Sequence, residues 1–185
     1  MPKVLISDSL SSLANKVLKD NGIEVDTITD LHPSELKKII HKYDGLIVRS
    51  ATKATDNIIS SASNLKIIGR AGAGVDNIDL VSAKKNNVIV MNTPGGNTNA
   101  TAEHSLSLLM SLYKNIPDAN EGTHKGLWEK KKFKGLELKG KNLGIVGFGN
   151  VGKRFSEIAI ALGMKVSVYS ESFASRKNDD LNINS

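Results

Sequence analysis

Residues 143–152 read Leu-Gly-Ile-Val-Gly-Phe-Gly-Asn-Val-Gly, an apolar run that meets three glycines at G-x-G-x-x-G spacing. No other stretch limits the fold so tightly. Gly147 would permit a sharp turn, Gly149 would let the backbone approach a pyrophosphate, and Gly152 would let the following helix pack close to its strand. Asn150 and Val151 stand where that helix begins, so its free N–H groups and positive dipole end would face a bound dinucleotide. The same spacing also occurs in ordinary glycine turns, so the flanking residues decide. Residues 143–146 read as a buried strand. Residues 151–162 read as a helix with Phe155, Ile158, Ala159 and Leu162 on one stripe, ended by Gly163, and residues 166–169 supply the second strand of a βαβ unit.

Upstream, one rhythm repeats: a short β-branched strand, then an amphipathic helix, the pattern of a parallel sheet covered on both faces. Strands are expected near 4–7, 24–27, 45–48, 66–69 and 88–91. Helices are expected near 11–19, 34–40, 55–60 and 79–85, with a helix start at Pro33-Ser34-Glu35. The sequence Asn92-Thr93-Pro94-Gly95-Gly96-Asn97 breaks the rhythm and reads as a hinge between domains. A long helix over 98–113 follows, with Leu106, Leu109, Met110 and Tyr113 as its apolar stripe. A second helix is expected near 117–125. The domains are therefore expected at 1–97 and 98–172, with a polar tail at 173–185.

Hydrophobic residues make up 39% of the 185, enough for a buried core, and no apolar run approaches the roughly 20 residues of a membrane span. With no signal-peptide core and no cysteine, the sequence points to the cytoplasm and excludes disulfides and thiolate metal sites. The net charge of +6 suggests anionic ligands. The cations are densest between Lys125 and Lys141, around Trp128 and Phe133, without a nucleic-acid-binding module. That segment reads as a solvated or subunit-facing loop, and nucleic acid ranks last among the partners.

Several separated blocks are similar to one family. They are Gly45-Leu46-Ile47-Val48-Arg49-Ser50-Ala51-Thr52, the run Gly69-Arg70-Ala71-Gly72-Ala73-Gly74-Val75-Asp76-Asn77-Ile78-Asp79, the hinge with Ala102-Glu103-His104, Gly126-Leu127-Trp128-Glu129, and Leu138-Lys139-Gly140-Lys141 leading into the glycine motif. In this order the chain resembles the NAD-dependent D-isomer-specific 2-hydroxyacid dehydrogenases, in particular the D-3-phosphoglycerate dehydrogenase branch. The resemblance implies an α/β fold: a flavodoxin-like substrate domain followed by the first part of a Rossmann NAD-binding domain. It implies hydride transfer between a 2-hydroxy acid and NAD in serine biosynthesis. The substrate would be a small anionic 2-hydroxy or 2-oxo acid such as 3-phosphoglycerate or 3-phosphohydroxypyruvate, and homo-oligomers would form through residues 98–140.

By the same resemblance, Arg49, Ser50, Thr52, Arg70 and Asn97 face the substrate, and Ala73, Gly147, Gly149, Asn150, Val151, Gly152 and Ser170 face the cofactor. Arg49 and Arg70 also fall at the C-terminal ends of expected strands, where open α/β sheets bind ligands. Ser50 and Thr52 could equally cap a helix, and Asn97 could be a turn residue. His104 and Glu103 read as structural, and His32, His41 and His124 as surface residues. Ser170 stands where the family usually has an acid for the adenosine ribose. With Arg176 and Lys177 nearby, that leaves NADP open beside NAD. Ala73 replaces a hydroxyl residue common in the branch. The family's catalytic arginine, glutamate and histidine belong beyond the second nucleotide-domain strand, and none maps onto this sequence. The chain is therefore expected to be truncated and to lack turnover alone. The runner-up is a non-catalytic nucleotide-binding or subunit-interaction module.

Overall fold

The structure, a computed structural model, describes residues 1–171. The tail expected at 173–185 lies outside the described residues, as do Arg176 and Lys177. Two compact units divide the chain between Gly96 and Asn97.

The first unit alternates β1 (Lys3–Ile6), α1 (Ser12–Asp20), β2 (Glu24–Thr27), α2 (Pro33–Ile39), β3 (Gly45–Val48), α3 (Asp56–Ile59), β4 (Ile67–Arg70), α4 (Leu80–Lys85) and β5 (Ile89–Met91). All strand pairs are parallel, in the order β2-β1-β3-β4-β5, which is the flavodoxin-like order. Central strands of such a sheet are covered on both faces, so they read as continuous apolar runs rather than alternating ones. Leu5, Ile6, Leu46, Val48 and Ile68 are accordingly shut off from solvent. Leu36, Ile40, Ile58 and Ile59 close over them from the helices. At the edge, Ile89 and Met91 of β5 remain exposed.

Helix α2 begins at Pro33, inside the expected Pro33-Ser34-Glu35 start. His32 is exposed, as expected of a surface residue, and is also the N-cap: its ring accepts from Ser34 N–H, and Glu35 Oε2 accepts from His32 N–H at 2.9 Å. Two otherwise orphaned donors are thereby satisfied, with Pro33 opening the helix.

The second unit contains α5 (Thr98–Tyr113), α6 (Ile116–His124), β6 (Asn142–Val146), α7 (Asn150–Ala161) and β7 (Lys165–Tyr169). Strands β6 and β7 pair in parallel with α7 as their crossover. Leu106, Leu109, Met110 and Tyr113 of α5 pack with Leu143, Ile145, Val166 and Val168 of the two strands. Two readings need correction. β6 is not buried on both faces: Val146 is 87% exposed and Tyr169, its partner in register, 69%. On α7 the buried positions are Ser156 and Ala159, with Ile160 packed beside them, whereas Leu162 is exposed. A two-stranded sheet gives the helix one narrow face to cover, which small residues fit.

Candidate functional site

In an open parallel sheet the ligand edge lies at the C-terminal strand ends, next to the point where strand order reverses. Here that point is between β1 and β3, and the residues just beyond it are Ser7, Asp8, Arg49 and Ser50. Asp8 is buried and gathers the loop that follows β3. Its carboxylate accepts from the N–H of Arg49 at 2.5 Å, of Ala51 at 3.2 Å and of Thr52 at 3.0 Å, and from the Thr52 hydroxyl at 2.6 Å. Burial pushes the carboxyl pKa up, but the Thr52 hydroxyl and the three N–H donors together outweigh it and hold the group below its ordinary value.

Thr52 therefore does not cap α3, whose N-cap is Thr55. Ser50 is exposed in the same loop. The Arg49 side chain is exposed too, and it has no hydrogen bond or ion pair among the described residues. Arg70 has the opposite environment. Only 12% exposed, its guanidinium donates from Nε to the Arg49 carbonyl at 3.0 Å and pairs through Nη2 with Asp76 at 3.2 Å. The loop after β4 wraps around it so closely that a Cβ on Gly74 would lie 2.9 Å from Nη1 and 2.8 Å from the Asp76 carboxylate.

Asn77 completes the support. Its Nδ2 donates to the Arg49 and Thr52 carbonyls at 3.0 and 2.6 Å, which leaves Oδ1 buried without a donor. Ala73 lies in the wrapped loop with its carbonyl accepting from Asn92 Nδ2 at 2.7 Å. An open depression of about 200 Å³ at this sheet edge is lined by Ile47, Gly69, Arg70, Ala71, Met91, Asn92 and Thr93. A hollow of about 310 Å³ in the second unit, beside Trp128 and Phe133, contains none of the expected site residues.

The glycine turn connects β6 to α7. Gly147 has φ +98°, a conformation that glycine adopts without strain. Phe148, 1% exposed, inserts into the apolar cluster and pins the turn from below. A Cβ on Gly152 would fall 2.2 Å from the Gly147 carbonyl oxygen, whereas one on Gly149 would meet nothing within 4 Å. The turn is thus closed beneath and open above. Asn150 and Val151 begin the 12-residue α7, whose first-turn N–H groups lack intrahelical acceptors and whose dipole end is positive. Ser170 directly follows β7.

Arg49, Ser50, Thr52, Arg70 and Ala73 thus gather at one edge of the first unit. Gly147, Gly149, Asn150, Val151, Gly152 and Ser170 belong to the second. Asn97 immediately precedes α5; it is exposed and its side chain makes no cap bond. Asp8 was missed from sequence, although its place directly after β1 parallels that of Arg49 after β3. Asn77 falls inside the 69–79 run, where residue type alone does not distinguish it from a turn residue.

The family model for the D-isomer specific 2-hydroxyacid dehydrogenase catalytic domain matches residues 4–178, and the chain belongs to this family. Among curated relatives, it is 44% identical over 181 residues to the D-3-phosphoglycerate dehydrogenase of Synechocystis sp., covering 98% of this chain and 32% of the relative. The Homo sapiens D-3-phosphoglycerate dehydrogenase is 45% identical over 167 residues, 90% of this chain and 31% of that one. The chain thus spans about a third of the length of these relatives. Among solved structures, the TT0316 protein from Thermus thermophilus has TM-score 0.88 at 30% identity, covering 99% of this chain and 60% of that one. The NAD⁺-bound 3-phosphoglycerate dehydrogenase of Entamoeba histolytica has TM-score 0.76 at 34% identity, covering 98% and 56%.

Among the described residues no helix is long and apolar enough to cross a membrane, and no cluster of acids and histidines could hold a metal ion.

Proposed function

We propose that these residues form the substrate-anion loop and the pyrophosphate turn of an NAD-dependent dehydrogenase of the D-3-phosphoglycerate type. The observation that carries this reading is the asymmetry of the glycine turn, filled under Gly152 and open over Gly149. Such a cradle admits a phosphate against backbone N–H groups at a helix start. Gly147, Gly149, Asn150, Val151 and Gly152 hold the pyrophosphate, while Ala73 and Ser170 contribute further cofactor contacts. NAD, when bound, supplies the hydride acceptor.

The substrate is a small anionic 2-hydroxy or 2-oxo acid of the 3-phosphoglycerate and 3-phosphohydroxypyruvate type. Arg49 meets its charged end as an exposed, unengaged guanidinium, a group suited to bidentate contact with carboxylate or phosphate. Ser50 supplies a neighbouring donor. Thr52 and Arg70 act on the substrate through the shape of the loop, and Asn97 adds a polar contact. The named relatives support this substrate class.

The 185 residues bind nucleotide and anion without turnover by themselves, because the family's proton-transferring histidine has no counterpart among them. Leu108, Leu112, Leu127, Trp128 and Leu136 are all exposed, which supports self-association through residues 98–140. Assays of NADH oxidation with 3-phosphohydroxypyruvate, run beside NADH and NADPH titrations, test these statements. Saturable NADH binding without oxidation is expected. Oxidation by the purified chain contradicts the absence of turnover, and preference for NADPH contradicts the cofactor assignment.

A further inference from the structure

The loop after β3 sorts its polar groups. Of the N–H groups of residues 49–53, those of Arg49, Ala51 and Thr52 donate to Asp8. Those of Ser50 and Lys53, both exposed residues, have no acceptor among the described residues. The carbonyls of Arg49 and Thr52 are held by Asn77, and that of Arg49 also by Arg70.

Successive N–H groups curled around one point form a nest that attracts anions. Here a buried side chain of the protein, only 5% exposed, sits at that point. We propose that Asp8 is the positioning residue of the anion-binding loop. It fills the inner nest itself, so that a substrate anion meets only the Ser50 and Lys53 N–H groups and the side chains of Arg49 and Lys53. Its role rests on reading the loop as the substrate site.

Two consequences follow from electrostatics and geometry. A fixed negative charge beneath the loop repels an anion from the inner donors, and its hydrogen bonds from four loop donors fix the direction in which the outer donors point. Removing the carboxylate leaves the Arg49, Ala51 and Thr52 N–H groups without their acceptor, and a small carboxylate from solution fits the space left behind. Asp8→Gly therefore creates a formate site.

Amide NMR on the full 185-residue chain tests this. In the wild type, the Arg49, Ala51 and Thr52 amides should titrate together on acidification, with one inflection below the ordinary aspartate value. Added 3-phosphoglycerate should shift the Ser50 and Lys53 amides and leave those three in place. Asp8→Asn should weaken 3-phosphoglycerate binding roughly tenfold or more, and formate should restore most of the affinity to Asp8→Gly. If either variant fails to fold, Thr52→Val serves instead, raising the inflection pH of the shared titration. Failure of the wild type to bind 3-phosphoglycerate overturns the substrate reading. Equal binding by wild type and folded Asp8→Asn, or independent titration of the three amides, overturns the role of Asp8.

Discussion

A Cβ on Gly152 would lie 2.2 Å from the backbone oxygen of Gly147, a separation no real pair of such atoms keeps. Backbone must move to admit it. Gly152→Ala is therefore expected to destabilise the second unit by about 1–3 kcal/mol. Gly149→Ala meets nothing within 4 Å and should leave stability within about 0.5 kcal/mol, but its methyl fills the space over the turn. Thermal melts paired with NADH fluorescence titrations check both: NADH affinity lost in each variant, with Tm lowered in Gly152→Ala alone.

Arg49 and Arg70 are separated by environment rather than residue type. Arg49→Ala removes an exposed group without a partner among the described residues, so stability should stay within about 0.5 kcal/mol while 3-phosphoglycerate affinity falls. Arg70→Ala removes the donor to the Arg49 carbonyl and the partner of Asp76, and should cost about 1–3 kcal/mol as well as affinity. Urea melts and calorimetric titration of the two variants distinguish the roles.

The first unit should lose stability at both pH extremes. The Lys3 ammonium and then the Tyr43 hydroxyl hold Asp26 below its ordinary value, and the Ser82 and Ser60 hydroxyls do the same for Asp56. A depressed folded pKa gives stability that is present above about pH 3.9 and lost as pH falls through the folded value. Tyr43 behaves oppositely: burial, then its hydrogen bond to Asp26, raises it to about 12. That contribution is full below about pH 10 and lost as pH rises through the folded value. Tyrosinate absorbance should show one late-titrating group, absent in Tyr43→Phe. A normal tyrosine titration in the folded wild type would contradict it.

Hydrogen exchange should divide the chain. Amides of β1, β3 and β4, covered on both faces, are expected to exchange slowest. Those of β6 and β7, with Val146 and Tyr169 open to solvent, should exchange faster. Mass-spectrometric exchange of peptides from the two units checks this, and equal protection would contradict it.

Local sequence carried most of the element plan. Glu24–Thr27, Gly45–Val48 and Thr98–Tyr113 fall where the alternation of short apolar runs and helical stripes puts them. The misses have physical causes. His32 lies on the surface as expected, but histidine is an uncommon N-cap, so its further bonds to Ser34 and Glu35 do not follow from residue preference. The buried positions on α7 depend on which strands exist beside it, and periodicity cannot count strands. Asp8 escaped notice because its partners are 41 to 44 residues away, and only the parallel pairing of β1 with β3 brings them together. Arg70 shows the limit of position alone. A strand-end arginine can reach toward solvent or hold its own loop, and the Gly72 to Asp76 wrapping decides for the second.

The most direct measurement is an NADH fluorescence titration of the 185-residue chain beside its Gly149→Ala variant. Saturable binding by the wild type, lost in a variant whose Tm is unchanged, is the expected result. Absence of saturable binding by the folded wild type, or equal binding by both proteins, would contradict the assignment of the 147–152 turn as the pyrophosphate cradle.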